Sequence, residues 1–245
     1  MRISCLFLMF CLAVAAQDVD QQLPSVAEII ATMAEHDAQR AAALHAYTAT
    51  RRYALQNENH HKRAEMVVTM QCQEDGSKKF ETVAESGWGG ARKYVFPKLL
   101  KSETAASMPA EREKSRITPD NYSFRFLRTD SVNHRLVYVL AITPKAANRY
   151  LIRGEIWVDA SDYAIARIEG APAKNPSFWI KSVHFVHTYE KKGPFWLPVS
   201  DRSTTEARIF GTTELTIEYF EYSLNISHLS ASASGTVVAS ESDNS

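Results

Sequence analysis

The chain has little cysteine, no net charge and no long apolar run beyond its N-terminus. Of its three cysteines, Cys5 and Cys11 lie close to the start, so Cys72 has no partner for a disulfide within the main domain. Lysine and arginine together number 28, and so do aspartate and glutamate. This balance gives no electrostatic reason to expect nucleic acid as a partner. Stability must come from an apolar core, which a chain of this length can bury.

Motifs of common catalytic and nucleotide-binding sites are also missing. The sequence has no P-loop, no His-Glu-x-x-His helix and no nucleophile elbow. His184 and His187 fall on one predicted strand three residues apart and face opposite sides, so a shared metal ion is not expected. Asp159 and Asp162 bracket a predicted turn, where aspartate commonly hydrogen-bonds the backbone. We therefore predict no catalytic residue, no metal and no cofactor.

The first residues have the composition of a secretory signal peptide. Met1-Arg2 is positively charged, an apolar run covers Ser4 to Val14, and Ala13-Val14-Ala15-Ala16 supplies small residues for cleavage. The apolar run is too short for a membrane span, which needs about 20 residues. We expect residues 1–16 to be removed and the protein to be exported to the periplasm.

One helix is predicted at the start of the remaining chain. Ser25 and Glu28 have the spacing of a capping box, in which each side chain meets a free backbone N–H group. The helix is predicted to run to about Leu44 and to lie on a sheet. Its apolar stripe consists of Val26, Ile29, Ile30 and Met33.

The apolar pattern changes to a period of two near Tyr47 and predicts about ten strands. Residues 91–106 are predicted to be helical with a restart at Pro97, and the polar segment 108–120 is predicted to be a loop. The predicted buried side of the helical region is Tyr94, Val95, Leu99 and Leu100.

The expected fold is mainly β (α+β). We expect a strongly curved antiparallel sheet, or unclosed β-barrel, with an N-terminal helix and a helical insertion that cover an apolar cavity. Residues 17–226 are predicted to form this single domain. The segment 227–245 is rich in serine and lacks aromatic residues, which is typical of a disordered tail.

Arg51 interrupts an otherwise apolar strand face. A charge there is costly unless it meets a partner or lies at the mouth of a pocket. Two interpretations stay open: the side chain reaches water at the edge of the sheet, or it donates to a ligand's carbonyl or headgroup. The strand faces also carry more aromatic and methionine side chains than one helix can cover, which predicts a cavity suited to acyl chains. The predicted ligand-binding residues are Arg51, Tyr53, Met66, Met70, Phe80, Tyr122, Phe124, Phe126 and Tyr138.

The segment Gly154-Glu155-Ile156-Trp157-Val158-Asp159, followed by Tyr163 and Arg167-Ile168, resembles a hairpin of the LolA-like superfamily of outer-membrane lipoprotein-sorting proteins. It is also similar to RseB-type lipid-sensing domains. The resemblance covers roughly residues 25–222 and implies an unclosed β-barrel with helices as a lid over an apolar cavity. In the lipoprotein carriers an arginine on an early strand takes part in lid movement, and Arg51 lies in a comparable place.

The resemblance implies a periplasmic carrier that binds acyl chains of lipoproteins or lipids and moves them toward the outer membrane. It implies no cofactor. The expected partners are an acylated lipoprotein or lipid and a transport partner in the inner or outer membrane. A lipid-responsive sensor that regulates a membrane partner is the alternative, and a periplasmic enzyme is the least favoured.

Overall fold

The computed structural model describes residues 23–148, 150–175, 178–209 and 211–226. The predicted signal peptide, 1–16, and the predicted tail, 227–245, lie outside these ranges. In chain order the elements are α1 (Val26–Ala43), β1 (Leu44–Asn57), β2 (Lys62–Cys72), β3 (Lys78–Gly87), a π-helical turn (Ala91–Val95), α2 (Phe96–Ser107), α3 (Pro109–Glu113), β4 (Tyr122–Val132), β5 (Arg135–Pro144), β6 (Ile152–Asp159), β7 (Ile165–Pro172), β8 (Ile180–Lys192), β9 (Phe195–Ala207) and β10 (Gly211–Ile226).

The ten strands form one antiparallel sheet. Its order is β3-β2-β1-β10-β9-β8-β7-β6-β5-β4, so each strand pairs with a sequence neighbour except where β1 meets β10. There Arg51 lies opposite Tyr219 and Tyr53 lies opposite Ile217. The edge strands β3 and β4 do not pair with each other, and the sheet is therefore unclosed, as predicted.

The predicted cap of α1 is present. The backbone N–H of Ser25 donates to Glu28 Oε2 at 2.7 Å, and that of Glu28 donates to Ser25 Oγ at 3.3 Å. These bonds satisfy two donors that a helix start leaves free. The helix buries Ile29, Ile30 and Met33, which are three of the four residues of the predicted apolar stripe.

The helical insertion differs from the prediction in two places. Of the predicted buried side, Leu99 and Leu100 are partly buried against the core. The other two residues are exposed, Tyr94 at 66% and Val95 at 36%, whereas Phe96 is fully buried. The π-helical turn explains this: the backbone N–H of Phe96 bonds to the carbonyl of Ala91 five residues earlier, which brings both residues to the sheet and rotates Tyr94 away. In addition, the segment predicted to be a loop contains α3, because Pro109 suits the first turn of a helix and Glu111 adds a favourable charge there.

Two apolar cores lie against the helices. The first lies under α1 and combines Ile29, Ile30 and Met33 with side chains of β4 to β8, among them Tyr122, Leu140, Ile156, Ile168 and Phe185. The second lies under α2 and joins Ala91 and Phe96 to side chains of β1, β2 and β10, which are Tyr53, Leu55, Ala64, Met66, Val68 and Ile217. Burial of these side chains is the main force that holds the helices on the sheet.

The turn between β6 and β7 fixes α1 in place. Asp159 Oδ1 accepts the backbone N–H groups of Ser161 and Asp162, which confirms the predicted turn chemistry. Beside it, the carbonyl oxygen of Asp162 lies 2.9 Å from His36 Nδ1 and accepts a hydrogen bond from Arg40 at 3.0 Å. Helix α1 is thus held by apolar packing and by polar bonds to a rigid turn.

Candidate functional site

A cleft lies between the two apolar cores. It consists of two adjoining cavities of about 470 Å³ and about 580 Å³, which we name together the central cleft. Strands β1, β8, β9 and β10 contribute to its lining, together with the end of α1 and with α2. The two cavities share the lining residues Leu44, Tyr47, Lys78, Glu103 and Trp196.

An ion pair crosses the central cleft from the sheet to α2. Arg51 Nη1 donates to Glu103 Oε1 at 2.6 Å, and Nη2 donates to Oε2 at 3.1 Å. Lys78 Nζ on β3 lies 3.2 Å from the same Oε1, and the Tyr53 hydroxyl donates to Oε2 at 3.3 Å. The Glu103 carboxylate therefore meets two cations and a phenol, a strong arrangement because the donor pair of arginine matches the two oxygens.

Arg51 itself does not reach solvent. It is 1% exposed, and β1 lies inside the sheet between β2 and β10, so the interpretation that its side chain reaches water at a sheet edge is wrong. Its guanidinium carbon lies 4.5 Å from the ring centre of Tyr219, 5.0 Å from that of Tyr53 and 5.4 Å from that of Phe80. Aromatic faces attract the cation at such distances. The Nε atom of Arg51 has no hydrogen-bond partner.

A second polar group lies on β8, β9 and β10 in the floor of the cleft. The Tyr219 hydroxyl donates to Asp201 Oδ2 at 2.5 Å, and His187 Nδ1 lies 2.6 Å from Asp201 Oδ1. His187 and Asp201 are directly paired in the register of β8 and β9. Because Tyr219 also stacks on Arg51, this group adjoins the ion pair.

Neighbouring groups in the cleft shift one another's pKa values. Burial alone would raise the pKa of the Glu103 carboxyl, but Lys78 and Arg51 bring it below its ordinary value. Burial would likewise raise the pKa of Asp201, but His187, Tyr219 and the charge of Arg51 together bring it below its ordinary value. Burial raises the pKa of the Tyr219 hydroxyl, and the neighbouring Asp201 charge raises it further. Both carboxylates are therefore ionised at neutral pH.

The nine predicted ligand-binding residues fall into two groups. Arg51 lines the central cleft. Tyr53, Met66, Met70 and Phe80 lie near it on β1 to β3; the first three are buried and Phe80 packs on the core under α2. The remaining four pack in or against the core under α1, and they are Tyr122, Phe124, Phe126 and Tyr138. Contact of these residues with a ligand stays a prediction.

Sequence reasoning missed Lys78, Glu103, Asp201 and Tyr219. The one signal that pointed to them was Arg51, because a buried guanidinium needs a carboxylate near it. The lining is also more polar than the predicted apolar cavity. Apolar side chains such as Leu197 and Ile217 lie next to the charged groups, so the cleft suits a ligand with both an apolar and a polar part.

The described ranges contain no cluster of three or more His, Cys, Asp or Glu residues that could hold a metal ion. Among the helices that the structure describes, none has the length and apolar character needed to span a membrane.

The fold defines a mainly β protein with an unclosed sheet and helices over one face. A sequence model for a family of unknown function (DUF5686) matches residues 116–225. No curated protein matches the sequence.

Among solved structures, the chain is similar to an outer membrane lipoprotein-sorting protein domain from Vibrio parahaemolyticus. The identity is 12%, the match covers 81% of this chain and 93% of the other, and the TM-score is 0.42. It is also similar to a DUF1329 family protein from Desulfovibrio piger, with 9% identity, coverage of 85% and 95%, and a TM-score of 0.41.

A third similar structure is a LolA superfamily protein from Nitrosomonas europaea, with 11% identity, coverage of 83% and 94%, and a TM-score of 0.37. The predicted resemblance to LolA-like proteins is thus found among solved structures as well. At these identities and TM-scores the resemblance says nothing about the ligand. The ligand is therefore inferred from the geometry of the cleft.

Proposed function

We propose that the protein holds the acyl chain of a lipid or lipoprotein in the central cleft, beneath α2, and carries it through the periplasm. The observation that carries this proposal is the ion pair between Arg51 and Glu103, which ties a covering helix to the floor of a cleft. Helix α2 fully buries Phe96 and Ser107, and its Leu99 and Leu100 are partly buried against the core. Release of its middle part therefore exposes less apolar surface than release of α1, which buries Ile29, Ile30 and Met33.

The size of the cleft supports an acyl chain as ligand. Ligand pockets typically measure about 300 to 1,000 Å³, and each of the two adjoining cavities falls within that range. Burial is worth about 0.8 kcal/mol per methylene group, so about ten methylene groups would contribute about 8 kcal/mol before the costs of binding. Apolar burial alone can hold such a chain, and no chemical step is needed.

The connection between β3 and α2 supports movement of the helix. Gly87 has φ +78°, and a Cβ atom there would lie 2.4 Å from the carbonyl oxygen of Arg63, so this position requires glycine. Gly89, Gly90 and the π-helical turn follow before the buried Phe96. Short irregular segments of this kind absorb the backbone rotations of a hinge, and α2 would then pivot about Phe96.

The cleft assignment is tested by filling it. Ser203 on β9 lines the cleft, whereas Thr204, the next residue, faces the opposite side of the sheet. We expect Ser203→Trp to weaken binding of a pyrene-labelled fatty acid at least tenfold, and Thr204→Trp to leave it unchanged. Equal binding by both folded variants and the unmodified protein would contradict the proposal.

Carriage is tested by transfer. A carrier loaded with labelled lipid should deliver it to acceptor vesicles, whereas retention without transfer would favour a lipid-responsive module that acts on a membrane protein. In this proposal the protein works in the periplasm, which the composition of residues 1–16 supports. The mass of the protein recovered from the periplasmic fraction should correspond to a chain that lacks this segment.

A further inference from the structure

The charges around Glu103 are unequal in number. Two cations, Arg51 and Lys78, contact its one carboxylate. Asp201 is the other acidic residue that lines the larger cavity, and its oxygens are taken by His187 and Tyr219. Movement of α2 away from the sheet would therefore leave two cations in the cleft without the carboxylate that they contact.

Arg51 cannot follow Glu103 when α2 moves. Its side chain is buried and lies among the rings of Tyr53, Phe80 and Tyr219. Its Nη1 has one further acceptor, the sulfur of Met70 at 3.4 Å, and its Nε has none. A buried cation that loses its counter-charge is strongly unfavourable, so opening requires a replacement anion.

A guanidinium with a nearby ammonium group is the donor set that proteins use for phosphate and carboxylate groups. We infer that Arg51 and Lys78 form a binding site for the anionic headgroup of the lipid, and that Glu103 occupies this site in the unloaded protein. The inference rests on the proposed function, because it assumes that the acyl chain lies in the same cleft. The inference adds the class of ligand to the proposed function: a lipid whose headgroup carries a phosphate or a carboxylate group.

This arrangement couples binding to opening. An anionic headgroup replaces Glu103 as the acceptor of the two hydrogen bonds that Arg51 donates. Helix α2 can then move away without leaving the guanidinium unpaired. A neutral lipid of the same chain length offers no such exchange. The protein should therefore select its ligand by headgroup charge as well as by chain.

The test compares two lipids of equal chain length, a lysophosphatidic acid and a monoacylglycerol, with inorganic phosphate as a third probe. We expect the unmodified protein to bind lysophosphatidic acid at least tenfold more tightly than monoacylglycerol. Glu103→Gln removes the internal competitor and should raise the affinity for lysophosphatidic acid at least tenfold. Glu218→Gln is the matched control, since Glu218 pairs with the exposed Arg52, the next residue on β1, and it should change nothing.

Lys78→Gln is a second variant, which keeps the ion pair between Arg51 and Glu103. It tests the headgroup site if Glu103→Gln fails to fold. It should reduce the preference for lysophosphatidic acid at least threefold and leave monoacylglycerol binding unchanged. Inorganic phosphate should compete at least a hundredfold less well than the lipid, because it lacks the chain. Competition by phosphate as strong as by the lipid would overturn the assignment to a lipid headgroup.

The outcomes separate the two proposals. Equal affinity for both lipids in the unmodified protein and in Lys78→Gln would overturn the headgroup site and leave the acyl-chain proposal standing. An affinity for lysophosphatidic acid that is unchanged or lower in folded Glu103→Gln would also overturn it. Absence of binding of either lipid to every variant would reject the proposed function itself.

Discussion

Two helices cover the same face of the sheet by apolar packing, and one of them has an ion pair to the sheet as well. Helix α1 buries Ile29, Ile30 and Met33 in a core that spans β4 to β8. Helix α2 buries Phe96 at its start and packs the partly buried Leu99 and Leu100 on a second core, and its Glu103 pairs with Arg51 of the sheet. Apolar packing cannot be exchanged for a ligand contact without loss of the core. An ion pair can be exchanged for another ion pair, so in the proposed function α1 stays in place and α2 is the helix that moves.

The largest effect is expected when the apolar packing of α1 on the sheet is weakened. Ile29→Ala removes a fully buried side chain and should lower the free energy of unfolding by about 3 kcal/mol, as large-to-small core changes do. Urea denaturation measures this loss. Acyl-probe binding by the folded fraction should be unaffected. Glu35→Ala, at an exposed position of the same helix, is the control, and an equal loss there would show that α1 is not held by its apolar stripe.

An intermediate effect is expected when the ion pair between α2 and the sheet is broken. Glu103→Gln leaves the buried guanidinium of Arg51 without its counter-charge. Breaking a fully buried pair costs about 3–5 kcal/mol, and a smaller loss is expected here because the Glu103 side chain is 21% exposed. Because α2 can move away, we expect the change to appear mainly as faster hydrogen exchange in residues 96–107, with little change in residues 26–43. Glu218→Gln should alter neither segment. Equal acceleration in both helices would refute the contrast between them.

The smallest effect is the dependence of α2 on pH that Glu103 causes. The pKa of Glu103 in the folded protein lies below its ordinary value of 4.5. Its contribution to stability is therefore complete above about pH 4.5 and is lost as the pH falls through the lowered value. Hydrogen exchange of residues 96–107, corrected for its intrinsic pH dependence, should accelerate below that pH. The acceleration should be absent in Glu103→Gln, and its persistence there would assign it to another group.

Local pattern predicted the parts of the molecule that local interactions determine. The capping box, the apolar stripe of α1, the number of strands and the turn at Asp159 all follow from neighbours in sequence. The π-helical turn escaped prediction because an α-helical period was assumed for residues 91–106. One extra residue in this single turn was enough to bring Phe96 to the sheet in place of Tyr94 and Val95.

The candidate site was harder to predict because its residues meet through long-range pairing. Arg51 was recognised as unusual, but no pattern in the sequence linked it to Glu103, although Glu103 lies one helical turn after Leu99 and Leu100 of the predicted buried side. Tyr219 reaches Arg51 only because β1 pairs with β10. His187 meets Asp201 through the register of β8 and β9. Neither pairing can be predicted from the sequence, since the register of two strands depends on the packing of whole strands.

The pairing of β1 with β10 has a consequence for how the protein matures. One wall of the site is synthesised at the beginning of the domain and the strand beside it at the end, so Arg51 lacks the ring of Tyr219 until the whole domain has emerged. Contacts between such distant segments form late, after the loops between them are closed. If the protein binds lipid as proposed, a chain that still lacks β10 has an incomplete site, and binding begins only once the domain is complete.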